Sequence, residues 1–358
     1  MTSGTGIDDM CSKVNSYLPE LSRFFSARSL ALAPTKSTAT LFTNWTKEYR
    51  LSLNIHVDGL QIPTVNNPKI LGVTFDSLHS FTPHTTAIVT KVQSRNKILK
   101  SLAGSTWGKD KETLLATYKA IGRPVVNYAA PVWSPGCSDT QQKKLQACQN
   151  TALRTATGCL LMSPMTHLNS EAIMLPIKEH NELLTKQFLL GCFRRNHPCS
   201  HLLEAEPPPR CIKRSLLQYV DELNPYTDQT ADANSFRHAL NAIHSGAINT
   251  FIDSLPVNGV LKTKPPPIAD EELELPRETR VTLAQLRSGY CSRLNSYLSR
   301  LNPDIQNTCP ACNESPHDSN HLFVCPMNPT HLTPLSLWSN PVETARFLGL
   351  PLDDLDDN

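Results

Sequence analysis

The chain has 358 residues, 39% hydrophobic and 18% charged, and its 34 lysines and arginines against 32 aspartates and glutamates leave a formal charge of +2. These figures exclude a disordered composition and a uniform polycation, and the length exceeds one ordinary core, so several folded units are expected. No apolar run reaches the ~18 residues that a membrane span needs, and twenty-eight prolines against fourteen glycines predict broken helices and extended connectors.

In chain order, Val14, Leu18, Leu21 and Phe25 recur at helical spacing, which predicts a helix over Ser12–Leu30 bent at Pro19. Asp8 and Asp9 read as helix N-terminal acids. The alternating run LALAPTKSTATLF (Leu30–Phe42) reads as strand-like. In LNIHVDGLQIP, Asp58-Gly59 between apolar stretches predicts a hairpin, and KILGVTF (Lys69–Phe75) reads as a further strand. One helix with several short strands points to part of an α+β domain.

From about 83 to 196 the pattern turns helical. Helices are predicted over Thr85–Ala103, Asp110–Ile121, Asp139–Thr157 and Lys178–Arg195, with Asp110 and Asp139 as N-caps. On the first, Ile88, Val92, Leu99 and Leu102 share a face while Lys97 and Lys100 point away; Arg95 falls inside the apolar stripe, where only snorkelling accommodates it. The triplets Pro207–Pro209 and Pro265–Pro267 predict stiff connectors around a weaker helical region. A last helix is expected over Thr279–Leu301.

Charge is unevenly placed. No acid lies between Asp76 and Asp110, where Lys91, Arg95, Lys97, Lys100 and Lys109 occur, or between Asp139 and Glu171, where Lys143, Lys144 and Arg154 occur. Acid gathers instead in Ala269–Glu278 and at Asp353, Asp354, Asp356 and Asp357. A charged helix face is usually only solvated, but two acid-free stretches make these cations candidates for phosphate contact.

Eleven cysteines without a basic-then-apolar leader imply a reducing compartment, nucleus or cytoplasm. Cys309, Cys312, His321 and Cys325 stand at the spacing C-x2-C-x8-H-x3-C, which suits tetrahedral Zn²⁺, with the first pair on a tight turn and the second one helical turn apart. The bland alternative is a set of buried cysteines beside a surface histidine, yet the other eight cysteines form no C-x2-C pair. His317 or His331 could replace His321, which is favoured because Leu322 and Phe323 beside it would anchor a helix turn. Four protein ligands leave no position for water, so the zinc is expected to be structural, which argues against a zinc hydrolase.

The runs FFSARSLALAPTKSTATLFT, PKILGVTFD, YKAIGRPVVNYAAPVWSP, ELPRETRVTLAQLRSGYCSRLNSYLSRLNP and CPACNESPHDSNHLFVCP, in this order, resemble the C-terminal part of jockey-type non-LTR (LINE-type) retrotransposon reverse transcriptases. The resemblance implies an α+β, mostly α fold: a palm remnant of helix plus short antiparallel strands (1–82), a helical thumb (83–200), a proline-bracketed helical region (201–278), a helix with a CCHC zinc knuckle (279–335) and an acidic tail (336–358). It places Lys36 as the motif D lysine, against the alternative of a solvated turn lysine, and Leu71, Gly72, Val73 and Asp76 in the primer grip. Lys91, Lys97, Lys100, Lys143, Lys144 and Arg154 become backbone contacts to RNA, DNA or their hybrid, with Arg287, Arg293 and Arg300 as further contacts beside the knuckle.

Polymerase chemistry needs paired carboxylates on two Mg²⁺ ions, and the family's aromatic-x-Asp-Asp turn is absent from this sequence. Counted back from Lys36, that turn would precede Met1, so the isolated chain is expected to bind template–primer without polymerising, Mg²⁺ belonging to a longer parent with its N-terminal polymerase and endonuclease portions. The alternative expectation is a domesticated, zinc-stabilised interaction scaffold that binds no nucleic acid.

Overall fold

Ile7, Val14 and Leu18 leave water together only if their segment is helical, and α1 (Ile7–Ser26) forms there, with Asp8 and Asp9 in its first turn and Pro19 within it. This computed structural model describes residues 2–4, 6–43, 45–48, 50–104, 106–194, 197–203, 219–230 and 232–352. The triplet Pro207–Pro209, Cys211, and the acids Asp353, Asp354, Asp356 and Asp357 lie outside the described residues. The fold is mostly helical with two small antiparallel sheets, and no helix among the described residues is long and apolar enough to cross a membrane. The described residues fall into two compact units, one drawn from Met1–Ala87 and Val132–Gln141, the other from Ile88–Pro131, Gln142–Arg210 and Leu216–Asn358.

In the first unit, Cys11 of α1 joins Ala39, Leu53, Ile55, Val57 and Ile62 in a small core. Strands β1 (His56–Val57) and β2 (Leu60–Gln61) pair with His56 opposite Gln61, and Asp58 (φ 48°) and Gly59 (φ 81°) form the left-handed two-residue turn that the Asp-Gly pair predicts. A second hairpin joins β3 (Lys69–Ile70) to β4 (Val73–Thr74) through Leu71 (φ 46°) and Gly72 (φ 86°). KILGVTF is therefore not one strand: Gly72 takes the left-handed backbone that a reversal requires. The run Leu30–Phe42 departs from its strand-like reading too. Pro34 opens a 3-10 turn over Pro34–Lys36, and among the described residues only Ala39 of this run bridges another segment, at Thr64.

Helix α2 (Thr82–Lys100) follows, then α3 (Lys111–Thr117), a single π turn over Tyr118–Gly122, α4 (Arg123–Asn127), α5 (Ala130–Trp133), α6 (Asp139–Thr157), α7 (Met165–Glu171) and α8 (Ile177–Cys192). The rest comprises α9 (Val220–Leu223), α10 (Ala233–Ser254), α11 (Arg277–Ser288), α12 (Asn295–Leu301), α13 (Ser336–Ser339) and α14 (Pro341–Phe347). Asp110 caps α3 by accepting from the Thr113 amide at 2.7 Å. The cap of α6 is Ser138, not Asp139: Ser138 Oγ accepts from the Gln141 amide, Gln141 Oε1 accepts from the Ser138 amide at 2.6 Å, and Asp139 becomes the first helical residue. Arg95 is exposed, and the inward position beside it belongs to buried Asn96, whose Nδ2 donates to the Cys148 carbonyl at 2.8 Å.

Among the described residues, two of the second unit's apolar clusters bear on the site. Leu183, Leu189 and Leu190 of α8 pack with Leu223 of α9 and Ala239 and Ile243 of α10. Leu283 and Leu286 of α11 pack with Leu294, Tyr297, Phe323, Leu337, Trp338, Ala345 and Leu350. This corrects two expectations. Thr279–Leu301 is two helices, because Gly289 (φ 76°) ends α11 and the Tyr290 amide turns back onto the Gln285 carbonyl. Residues 336–350 are not part of a separate tail, because their apolar side chains complete the core around α11.

Candidate metal centre and basic helices

The loop after α12 is folded by its own polar groups. The Asn313 amide returns to the Cys309 carbonyl and the Cys309 amide to Glu314, each at 2.8 Å, with Asn313 in a left-handed conformation (φ 62°). Asp318 Oδ1 accepts from the amides of Asn320 (3.0 Å) and His321 (2.9 Å), capping a short 3-10 turn over His321–Phe323. These turns face each other. The ligand atoms of Cys309, Cys312, His321 and Cys325 all lie within 4.8 Å of one another.

Cys309 Sγ is 3.9 Å from Cys325 Sγ, and Cys312 Sγ is 3.2 Å from His321 Nε2. A tetrahedral centre with Zn–S bonds of about 2.3 Å separates its sulfurs by ~3.8 Å, so the donor set fits a metal ion such as zinc. The backbone amides of Cys312 and then Ala311 hold the Cys309 thiol below its usual range, which favours the thiolate that a metal requires. His317 and His331 are committed elsewhere: His317 Nδ1 accepts from the Asn295 amide at 3.1 Å, and exposed His331 sits 3.0 Å from Glu343.

The loop is fastened to α11 by Ser319 Oγ, which donates to the Leu286 carbonyl at 2.8 Å, and to α14 by Phe323, stacked 6.1 Å from Phe347. One turn of α11 carries Arg287, which is fully buried and cannot reach a phosphate. Its guanidinium donates to both oxygens of Glu171 (2.6 and 3.0 Å), to both oxygens of Glu272 (2.5 and 3.0 Å) and to the Leu337 carbonyl (2.9 Å). Lys111 adds a second cation 3.3 Å from Glu171 and 3.5 Å from Glu272. Burial alone would raise the Glu171 carboxyl, but Arg287 and then Lys111 reverse this and hold it well below the ordinary range. Buried His167 donates from Nε2 to the Ala284 carbonyl at 3.1 Å, and burial lowers its pKa. No short-range signal in the sequence announces this network, since Glu171 lies 116 residues from its partner. Arg293 and Arg300 are exposed, and the Arg300 guanidinium lies over the Tyr290 ring at 5.2 Å.

The other candidates stand on separate elements. Lys91, Lys97 and Lys100 are exposed on α2, outside its buried stripe of Ile88, Val92, Asn96 and Leu99, and Lys143 and Lys144 are exposed in the first turns of α6. Arg154 differs from these. It is half-buried, and its guanidinium donates to the carbonyls of Leu160 (3.4 Å) and Leu161 (3.2 Å), so its bonds are used within the chain. Lys36 is exposed at the end of its 3-10 turn. At the β3–β4 hairpin Leu71 is 88% exposed, whereas Val73 is buried. Asp76 is also buried, accepting from the amides of Ser80 (2.9 Å) and Phe81 (2.6 Å), a loop-holding role.

Among curated proteins the chain is similar to a probable RNA-directed DNA polymerase from transposon X-element of Drosophila melanogaster, 23% identical over 191 residues, or 48% of this chain and 21% of that protein. It is also similar to a probable RNA-directed DNA polymerase from transposon BS of the same organism, 24% identical over 208 residues, or 58% of this chain and 23% of that protein. The chain thus spans less than a quarter of the length of these relatives. No protein-family model and no solved structure matches it.

Proposed function

We propose that this chain is the duplex-holding C-terminal portion of an RNA-directed DNA polymerase of a non-LTR retrotransposon. The observation that carries the reading is the similarity to two transposon polymerases over about half of the chain. In this reading residues 1–82 hold a palm remnant with Lys36 and the hairpin of Leu71, Gly72 and Val73, residues 83–200 are the thumb, and residues 279–335 carry a zinc-bound knuckle.

The physical case for nucleic-acid binding is the set of exposed lysines on α2 and α6, Lys91, Lys97, Lys100, Lys143 and Lys144, within stretches free of acid. Such contacts give sequence-independent affinity that falls steeply with salt. Zinc at Cys309, Cys312, His321 and Cys325 supplies fold rather than chemistry, because all four positions are protein ligands. No aromatic-x-Asp-Asp sequence is present in the chain, so binding without synthesis is the activity proposed for it.

A second reading, an interaction scaffold without nucleic-acid binding, draws on apolar side chains left in water at Leu161 and Ile173, each 82% exposed. Fluorescence anisotropy with an RNA–DNA hybrid at two salt concentrations, on a sample of measured zinc content, separates the two. Binding that weakens strongly with salt supports the polymerase portion. A folded, zinc-loaded chain that ignores the hybrid at low salt overturns it in favour of the scaffold.

A further inference from the structure

A tryptophan contributes most to a fold by burying its large ring, and Trp133 and Trp338 do so here. Trp107 does not: it is 59% exposed, just past the end of α2. The backbone around it is firmly tied. After α2 the chain reverses, with Ala103 and Gly108 bridged as antiparallel partners, the Gly104 amide donating to the Trp107 carbonyl at 3.0 Å and the Lys109 amide to the Leu102 carbonyl at 3.1 Å. Gly108 takes the positive φ (98°) that this reversal requires, and a Cβ there would meet the Leu102 carbonyl at 2.4 Å.

Gly104 is the seat of the indole. A Cβ on it would lie 2.4 Å from Trp107 Nε1 and 3.0 Å from both Cδ1 and Cε2, so the pyrrole half of the ring rests on bare backbone. Arg277 of α11 fastens that backbone to the end of α6: it donates from Nε to the Gly104 carbonyl (2.9 Å), from Nη1 to Ala156 (3.1 Å) and from Nη2 to Thr155 (2.8 Å). An aromatic surface held in place before binding spares the partner the cost of ordering it.

The charge beside this ring is positive. Lys97 and Lys100 are exposed in the last turn of α2, and exposed Lys109 follows Trp107 by two residues, its backbone tied to Leu102. The acids that come next in the chain are committed to other groups. Asp110 accepts from the amide and the hydroxyl of Thr113, each at 2.7 Å, and Glu112 pairs with Arg280 at 2.6 Å. An exposed aromatic ring among lysines suits a nucleotide, whose base stacks while its phosphate meets the cation. Within a duplex each base is covered by its neighbours, so an unpaired base is the one that offers its face.

We propose that Trp107 and Lys109 receive the first unpaired nucleotide of a strand running out of the duplex held by α2, the base stacked on the indole and its phosphate against Lys109. This rests on the duplex-holding reading, to which Lys97 and Lys100 belong, and adds single-stranded nucleic acid as a partner at the end of that helix.

The test uses the full chain and two labelled RNA–DNA hybrids, one blunt and one with a short single-stranded extension, the extension made in RNA and in DNA. The extended hybrid is expected to bind more tightly and to quench tryptophan emission, a change kept in Trp45→Phe and lost in Trp107→Phe. Trp107→Ala should weaken the extended hybrid about tenfold and the blunt one by less than about twofold. Lys109→Ala should lower the salt slope for the extended hybrid alone, by about 0.7. Whichever extension gives the gain, RNA or DNA, identifies the strand. A folded chain that binds both hybrids equally, with Trp107→Ala indifferent to the extension, overturns the site and leaves the duplex-holding reading intact. Binding of the extended hybrid alone, with the quench, keeps the site and overturns the duplex contacts, whereas binding of neither overturns both. Equal weakening of the two hybrids by Trp107→Ala would move the contact to the terminal base pair and overturn the unpaired nucleotide.

Discussion

The guanidinium of Arg287 and the carboxylate of Glu171 meet through two hydrogen bonds, 2.6 and 3.0 Å long, in a place that neither side chain shares with water. Removing one partner leaves the other as an uncompensated buried charge. Arg287→Leu, which strands both Glu171 and Glu272, is expected to destabilise the chain by about 3–5 kcal/mol in urea unfolding. A loss below about 1 kcal/mol would show that Lys111 alone suffices for the two acids.

The same pair fixes a pH dependence. The folded carboxyl of Glu171 is held below its unfolded value of 4.5. Its contribution is therefore complete above that value and is lost as pH falls through the acid range toward the folded pKa. In Glu171→Gln, the acid-side loss of stability between neutrality and about pH 3 should be shallower than in wild type. Parallel melting curves over that range decide it.

For the metal centre, one zinc per chain is expected, lost in Cys309→Ser and Cys312→Ser. His321→Cys should keep the metal as a four-cysteine set, and His317→Ala should keep it as well, because His317 serves the Asn295 amide. Metal analysis after gel filtration reads these four variants together with His321→Ala. Retention of zinc in His321→Ala together with its loss in His317→Ala would reassign the fourth ligand.

Gly158 offers a packing test. It ends α6 with φ 73°, and a Cβ there would lie 2.4–2.5 Å from the Val281 methyls, while its carbonyl accepts from Gln285 at 2.9 Å. Gly158→Ala combines left-handed strain with overpacking, and a loss of about 2–4 kcal/mol is expected from their sum. Adding Val281→Ala should recover the packing share and leave the backbone share.

Phosphate contacts are tested by slopes rather than by affinities alone. Lys97→Ala with Lys100→Ala should reduce the salt slope of hybrid binding by about two, one for each contact removed. Arg154→Ala should leave that slope unchanged while lowering stability, because its guanidinium holds the carbonyls of Leu160 and Leu161.

What was legible in the sequence was local. The Asp58-Gly59 turn, the Asp110 cap and the extent of α6 each depend on neighbours within a few residues, and sequence patterns report those directly. The Cys/His spacing likewise encodes two turns that face each other. What misled was local signal overruled at a distance. Arg287 reads as a surface cation until Glu171 and Glu272 arrive from 116 and 15 residues away. Leu337 and Trp338 read as the start of a tail until α11 offers them a core. KILGVTF is apolar enough for one strand, and only the positive φ at Leu71 and Gly72 makes it a hairpin.

The core around α11 also sets where this protein can be cut. A fragment ending just after Cys325 would retain every metal ligand and yet leave Leu283, Leu286 and Phe323 without Trp338, Ala345 and Leu350. Stripped of that cover, the metal loop would be chemically complete and mechanically unsupported. A piece meant to keep the four-ligand loop supported therefore reaches at least to Leu350, and upstream past Glu272 to Glu171, the partners of buried Arg287.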